Sequence, residues 1–288
     1  MLNWLRGCLA LGVDASGGDI WGQMNGQGFR RGVEERGVVG FGGAVGSGEF
    51  GMRASLVVAV IVAVAFLAFR GCFGGSTASW SQRLTLVVET PQGEVRGSAV
   101  TKVTKTDSSG ALVLPEARGV RSEVTGEAVV VEVAPSRFLF ALLSGSGEEK
   151  RDASHWVYPA YQLGDAGSYG GAMMKLWSQP HDTPVPLPPE GWPMLVTFDD
   201  ITKPETVRRV DPEDLAAVFG EGMRLKALTL EITKDPVTVG RVEGVLGWLI
   251  DLWPNQLDGE NSRTIYTDNR FANSLSTGDF STEVRSDK

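Results

Sequence analysis

Apolar and polar positions alternate through most of the chain after residue 79. In residues 83–89 (RLTLVVE), Leu84, Leu86 and Val88 fall on one side and Thr85, Val87 and Glu89 on the other, the period of a strand. The turn Thr90-Pro91-Gln92-Gly93 precedes a second alternating run at 94–104, so the pair reads as a hairpin. Residues 128–133 (AVVVEV) and 137–143 (RFLFALL) predict another strand pair around Ala134-Pro135-Ser136. Residues 194–198 (MLVTF) and 226–232 predict two further strands.

Helical period is rarer. Asp211-Pro212-Glu213-Asp214 reads as an N-cap acid, a proline at the first helical position and acids in the first turn. Residues 215–219 then run to the stop at Gly220. Val242, Val245, Leu246, Leu249, Ile250 and Trp253 recur at helical spacing up to Pro254, which predicts one amphipathic helix. A third helix is expected over 168–178. Strands with a few helices between them, lacking βαβ alternation, place the body in the α+β class, with a β-rich antiparallel sheet.

The first quarter of the chain follows neither period. Fifteen of the 37 glycines lie in residues 1–51, without the strict repeat of collagen, and no run there buries enough apolar area to offset its ordering entropy. Residues 1–51 are expected to be a disordered extension, with Met52 as the true start. From Met52, Arg53 precedes an uncharged apolar run at 56–69 (LVVAVIVAVAFLAF), the layout of an export signal. At about 1.5 Å per residue this run spans about 21 Å, less than the roughly 30 Å hydrocarbon core, and residues 54–73 supply the remainder. Residues 52–75 are therefore expected to form a short membrane helix, with the lipid bilayer as partner through residues 54–73. Cleavage at Ser76-Thr77-Ala78 and lipidation at Cys72 are the competing fates.

The expected organisation is an extension at 1–51, an anchor at 52–75, a single periplasmic α+β domain at 79–257 and a polar C-terminal tail at 258–288. Part of that tail is ordered through Ile265, Tyr266, Phe271, Leu275 and Phe280. The protein would be a single-pass inner-membrane protein with its C-terminal domain in the periplasm.

Composition narrows the chemistry. From Ser79 onward the chain carries 21 basic and 30 acidic residues and no cysteine. That acidity argues against nucleic acid, and the missing thiols exclude disulfides, thiolate metal sites and cysteine nucleophiles from the body. Gly46-Ser47-Gly48-Glu49-Phe50-Gly51 fits GxGxxG formally, but no acid follows at the spacing a dinucleotide ribose needs. No cofactor and no metal are expected.

Three sets of residues are candidates for function. Asp199 and Asp200 follow the strand 194–198 and would bind a cation or supply a general acid, or would cap a turn. His155 and His181 are the only imidazoles and would join those aspartates in a hydrolase, or hold zinc with Asp152 or Asp182, or simply be hydrogen-bonded or exposed. Trp156, Tyr158, Tyr161, Tyr169, Trp177 and Trp192 crowd a segment that also holds Pro184, Pro186, Pro188 and Pro189. They would stack on a glycan or anchor an envelope protein, or seal a core, while the prolines would present a polyproline strip. The stretch from Met194 through Leu230, with its VRRVDPEDLAAVFGEG core (207–222), resembles segments of uncharacterised bacterial envelope proteins and carries over no active-site residue. The expected role is binding or envelope structure. The alternatives are a periplasmic hydrolase using Asp199 and Asp200 with His155 or His181, and a soluble cytoplasmic protein.

Overall fold

A computed structural model describes residues 76–108, 116, 119–145, 152–166 and 168–283. The regions expected to form the extension and the membrane helix lie outside the described residues. The body is sheet-rich with few helices. Among the described residues nine strands run as β1 (Ser76–Thr90), β2 (Gly93–Asp107), β3 (Val120–Thr125), β4 (Val129–Ala134), β5 (Arg137–Gly145), β6 (Val185–Pro186), β7 (Pro193–Phe198), β8 (Val207–Val210) and β9 (Arg224–Thr233). They form two antiparallel sheets, ordered β3-β2-β1-β9-β6 and β4-β5-β7-β8.

The alternation in β1 fixes the first sheet. Its even positions from Ala78 to Val88 point inward, and the register carries that face to Leu228, Leu230 and Ile232 of β9 and to Ala99, Thr101, Val103 and Lys105 of β2. The upper half of this face packs on the second sheet. There Gly97 lets β2 approach so closely that a Cβ would lie 2.4 Å from the Val130 carbonyl oxygen. The lower half is covered by the segment that follows β5, through Trp156, Val157, Leu163, Met173 and Leu176.

Continuous apolar runs in β5 and β7 have a different cause. Leu139, Ala141, Leu143 and Leu195 face the first sheet, while Phe140, Leu142, Met194 and Val196 face a third layer of short helices and turns from residues 241–283. The two central strands of the second sheet, β5 and β7, are thus buried on both sides, which is why they carry apolar residues on both faces. In the third layer Phe280 stacks edge-on to Phe140 at 5.8 Å, and Phe198 packs against both Phe280 and Trp248. Leu275 and Phe280 lie in this core, whereas Ile265 and Tyr266 are exposed.

Two predicted helices are corrected. The acid-capped helix is one turn, Ala216–Phe219, and its first turn is bonded by Asp214, whose Oδ1 accepts from Ala217 N at 3.0 Å. Asp211 instead closes a turn onto Glu213 N. The long amphipathic helix is broken into Arg241–Val245 and Leu249–Leu252, with the weak helix formers Gly244 and Gly247 flanking the break. Its stripe survives in part: Val242, Leu246 and Leu249 are fully buried, whereas Ile250 is exposed. The helix expected over 168–178 is Tyr169–Trp177, with the Ser168 side chain accepting from Gly171 N. Proline does not present a free polyproline strip, because Val185–Pro186 pairs with β9 as an edge strand.

Candidate functional site

At the lower end of β2 the inward face carries a lysine. Lys105 is 3% exposed and sits opposite Ser122 of β3. Its Nζ donates to Tyr158 Oη at 3.4 Å and lies 4.6 Å from the centre of that ring. Tyr169 Oη donates to the Lys105 carbonyl oxygen at 3.2 Å. A short 3-10 turn, Ala153–His155, is held over this end of the sheet by Gln82, whose amide donates to Ala153 O at 2.7 Å and accepts from Trp80 Nε1. Asp152 caps that turn, accepting from Ser154 N at 3.0 Å, and lies 3.3 Å from His155 Nδ1.

Burial sets the charge state of this cluster. It pushes the Lys105 amine below its ordinary value, with the Asp152 charge opposing that shift. Burial also raises the Tyr158 and Tyr169 phenols, which stay protonated donors. Burial alone would raise Asp152, but hydrogen bonds from His155 and Ser154 outweigh it and hold the carboxyl below its ordinary value. The arrangement holds an amine under an aromatic ring, near one carboxylate.

Beside the cluster lies a groove of about 610 Å³. Residues 122–125, Ser144, Asp152, Arg263, Asp279 and Thr282 are among those that line it. β3 is the outermost strand of its sheet. Bonded and non-bonded pairs alternate in an antiparallel ladder, and the bond from Ser108 N to Gly119 O sets the phase. The backbone groups of Arg121 and Glu123 therefore point towards β2, and those of Val120, Ser122 and Val124 point away from it. Farther along the same edge these outward groups are satisfied: Ala128 N donates to Phe280 O at 2.7 Å, and Thr282 N to Gly126 O at 2.9 Å. Along β3 itself, no backbone partner for Ser122 or Val124 on that edge is found among the described residues.

The residues singled out from sequence are dispersed. Asp199 pairs with Arg208 at 3.0 Å. Asp200 closes a turn, accepting from Thr202 N and Thr202 Oγ1 and pairing with Lys203. The Thr202 hydroxyl, the Thr202 N–H and Lys203 hold its carboxyl at a pKa of about 2, so it is ionised and has no proton to give as a general acid. His155 bonds Asp152 and Ser154, and His181 borders a hollow of about 260 Å³ with Trp177 and Ser79; neither meets those aspartates.

Trp156 and Tyr161 are buried core residues, and Trp192 packs on the core with Nε1 donating to Leu187 O at 2.7 Å. Tyr158 and Tyr169 serve Lys105. Trp177 is exposed, on the same helix as exposed Met174. Lys105 is the residue that sequence reasoning missed. Its signal was its place in the alternation Ala99, Thr101, Val103, Lys105, which puts it on the inward face.

Among the described residues no set of three or more histidine, cysteine or acidic side chains is arranged to hold a metal ion. No helix among them is long and apolar enough to cross a membrane. No protein-family model matches the chain, and no curated protein or solved structure is significantly similar to it.

Proposed function

We propose that the chain is a single-pass bacterial inner-membrane protein whose periplasmic body is an interaction domain, taking an extended polypeptide segment along β3. The anchor rests on the uncharged run at 56–69 behind Arg53. The observation that carries the interaction reading is the outer edge of β3, which no described residue pairs along Ser122 and Val124 and which borders the groove. Exposed strand edges are templates for added strands, and proteins that leave one open at a cleft use it for recognition. The carboxylates best placed by sequence for hydrolysis are instead held by a turn and by ion pairs, which favours binding over catalysis.

The test is a photoreactive residue, p-benzoylphenylalanine, in place of the exposed Thr125, in cells producing the full chain. Irradiation should give a covalent adduct with a polypeptide in the membrane fraction. Recovery of the intact chain in the soluble fraction would overturn the anchor, and a membrane-bound chain that forms no polypeptide adduct would overturn the interaction reading.

A further inference from the structure

We infer that the segment seated on β3 is β3 of a second copy of this chain, an inference that rests on the strand-addition reading and names its partner. The sequence of the edge is self-complementary. Residues 120–124 read Val-Arg-Ser-Glu-Val, and an antiparallel partner centred on Ser122 sets Arg121 of each copy against Glu123 of the other. The same register sets Val120 against Val124.

The backbone phase agrees with that register. Val120, Ser122 and Val124 are the residues whose N–H and C=O groups point off the sheet, so Ser122 meets Ser122 and Val120 meets Val124 as hydrogen-bonded pairs. Arg121 and Glu123 then occupy the non-bonded sites, where facing side chains come closest and opposite charges are most effective. Both side chains are exposed, and neither is assigned an ion-pair partner among the described residues. Val120 is 46% exposed, an apolar side chain that the partner's Val124 would cover.

Pairing also stops where it must. Beyond Thr125 the edge is already taken, because Gly126 and Ala128 bond Thr282 and Phe280. A five-residue contact about a two-fold axis is an isologous, closed interface. It joins two five-stranded sheets into one of ten strands and removes the open edge from both copies.

The measurement is the molecular mass of the full chain in detergent micelles, by sedimentation equilibrium, across a concentration series. The wild-type chain should be a dimer. Arg121→Glu and Glu123→Arg each place like charges at both symmetric sites and should raise the dissociation constant at least about tenfold, while the double reversal restores it to within about threefold. Ser122→Pro deletes the outward N–H at the two-fold axis without touching the bonds to β2. It should give monomers whose unfolding temperature matches the wild type. A wild-type monomer overturns the inference, as does a dimer indifferent to both single reversals and to Ser122→Pro.

Adduct mass at position 125 separates this failure from that of the broader reading. A monomer that cross-links to a different protein leaves strand addition standing. A monomer that cross-links to nothing removes both.

Discussion

Glu127 shows how one side chain can join two layers. It is 1% exposed and follows β3 by two residues, where its backbone bridges Ser281. Its Oε2 accepts from Arg241 N at 2.9 Å and Val242 N at 3.1 Å, bonding the start of the helix in the third layer. Its Oε1 and both oxygens of Glu243 are out of water with no donor. Burial raises the Glu127 carboxyl, the Val242 N–H works against that, and the neighbouring Glu243 raises it further. A folded-state value above the unfolded one means stability is complete below the ordinary value of 4.5 and is lost as pH rises through the folded value. Glu127→Gln keeps an acceptor for both amides and cannot ionise. Its unfolding temperature relative to wild type should therefore climb as pH rises from the ordinary value of 4.5; a difference that stays constant with rising pH would defeat the assignment.

Gly97 is the second residue with a disproportionate role. A Cβ there would meet the Val130 carbonyl oxygen at 2.4 Å and Val131 Cγ2 at 2.6 Å. The nearest of these atoms is backbone, so the second sheet has to move rather than a side chain. Gly97→Ala should cost about 1–3 kcal/mol, read as a lower denaturation midpoint.

Among the elements, those written by a single period were the most legible. Residues 83–89 alternate and lie within β1; 138–143 carry apolar residues throughout and lie within β5. Three strands had no such signature. β8 is four residues with two outward arginines, β3 alternates without a buried face, and β6 is a proline dipeptide recruited by β9. Their pairing depends on neighbours far along the chain, which local pattern does not contain. The helix over 242–253 was read from its stripe, of which Val242, Leu246 and Leu249 are buried and Ile250 is not; the glycines within it favoured the break.

The candidate site was legible only in parts. His155, Tyr158 and Tyr169 stood out by residue type, but Lys105 is 50 residues from His155 in sequence and meets that segment only through the sheet. Phe280 belongs to the same lesson, being a lone aromatic in polar sequence that fills the space between Phe140 and Phe198. Phe280→Ala should cost about 3–5 kcal/mol in denaturant unfolding. A loss near zero would mean the third layer is not part of the cooperative unit.

At the scale of the molecule, three layers share two cores, and the middle sheet belongs to both. The segment 152–177 extends the first core over the half of β1 and β2 that the second sheet does not reach. This division puts Lys105 under the helical cover and leaves Asp152 and β3 bordering the groove. The outer face of the first sheet is polar and cross-linked by ion pairs such as Arg224 with Glu89 and Lys226 with Glu94, so lateral growth at β3 would meet no apolar obstacle there.

The position of β1 between β2 and β9 has a kinetic meaning. Its hairpin with β2 closes across a two-residue turn, but its other edge waits for partners such as Thr233, which pairs with Ser81 from 152 residues away. During synthesis the hairpin therefore exists before the strand that shields it, with Leu84, Leu86 and Val88 lined up along an open edge. Closing so distant a pairing is slow compared with forming the hairpin. The interval is when this chain is most exposed to wrong strand partners, and the charged residues Arg83 and Glu89 on that edge are its protection against them.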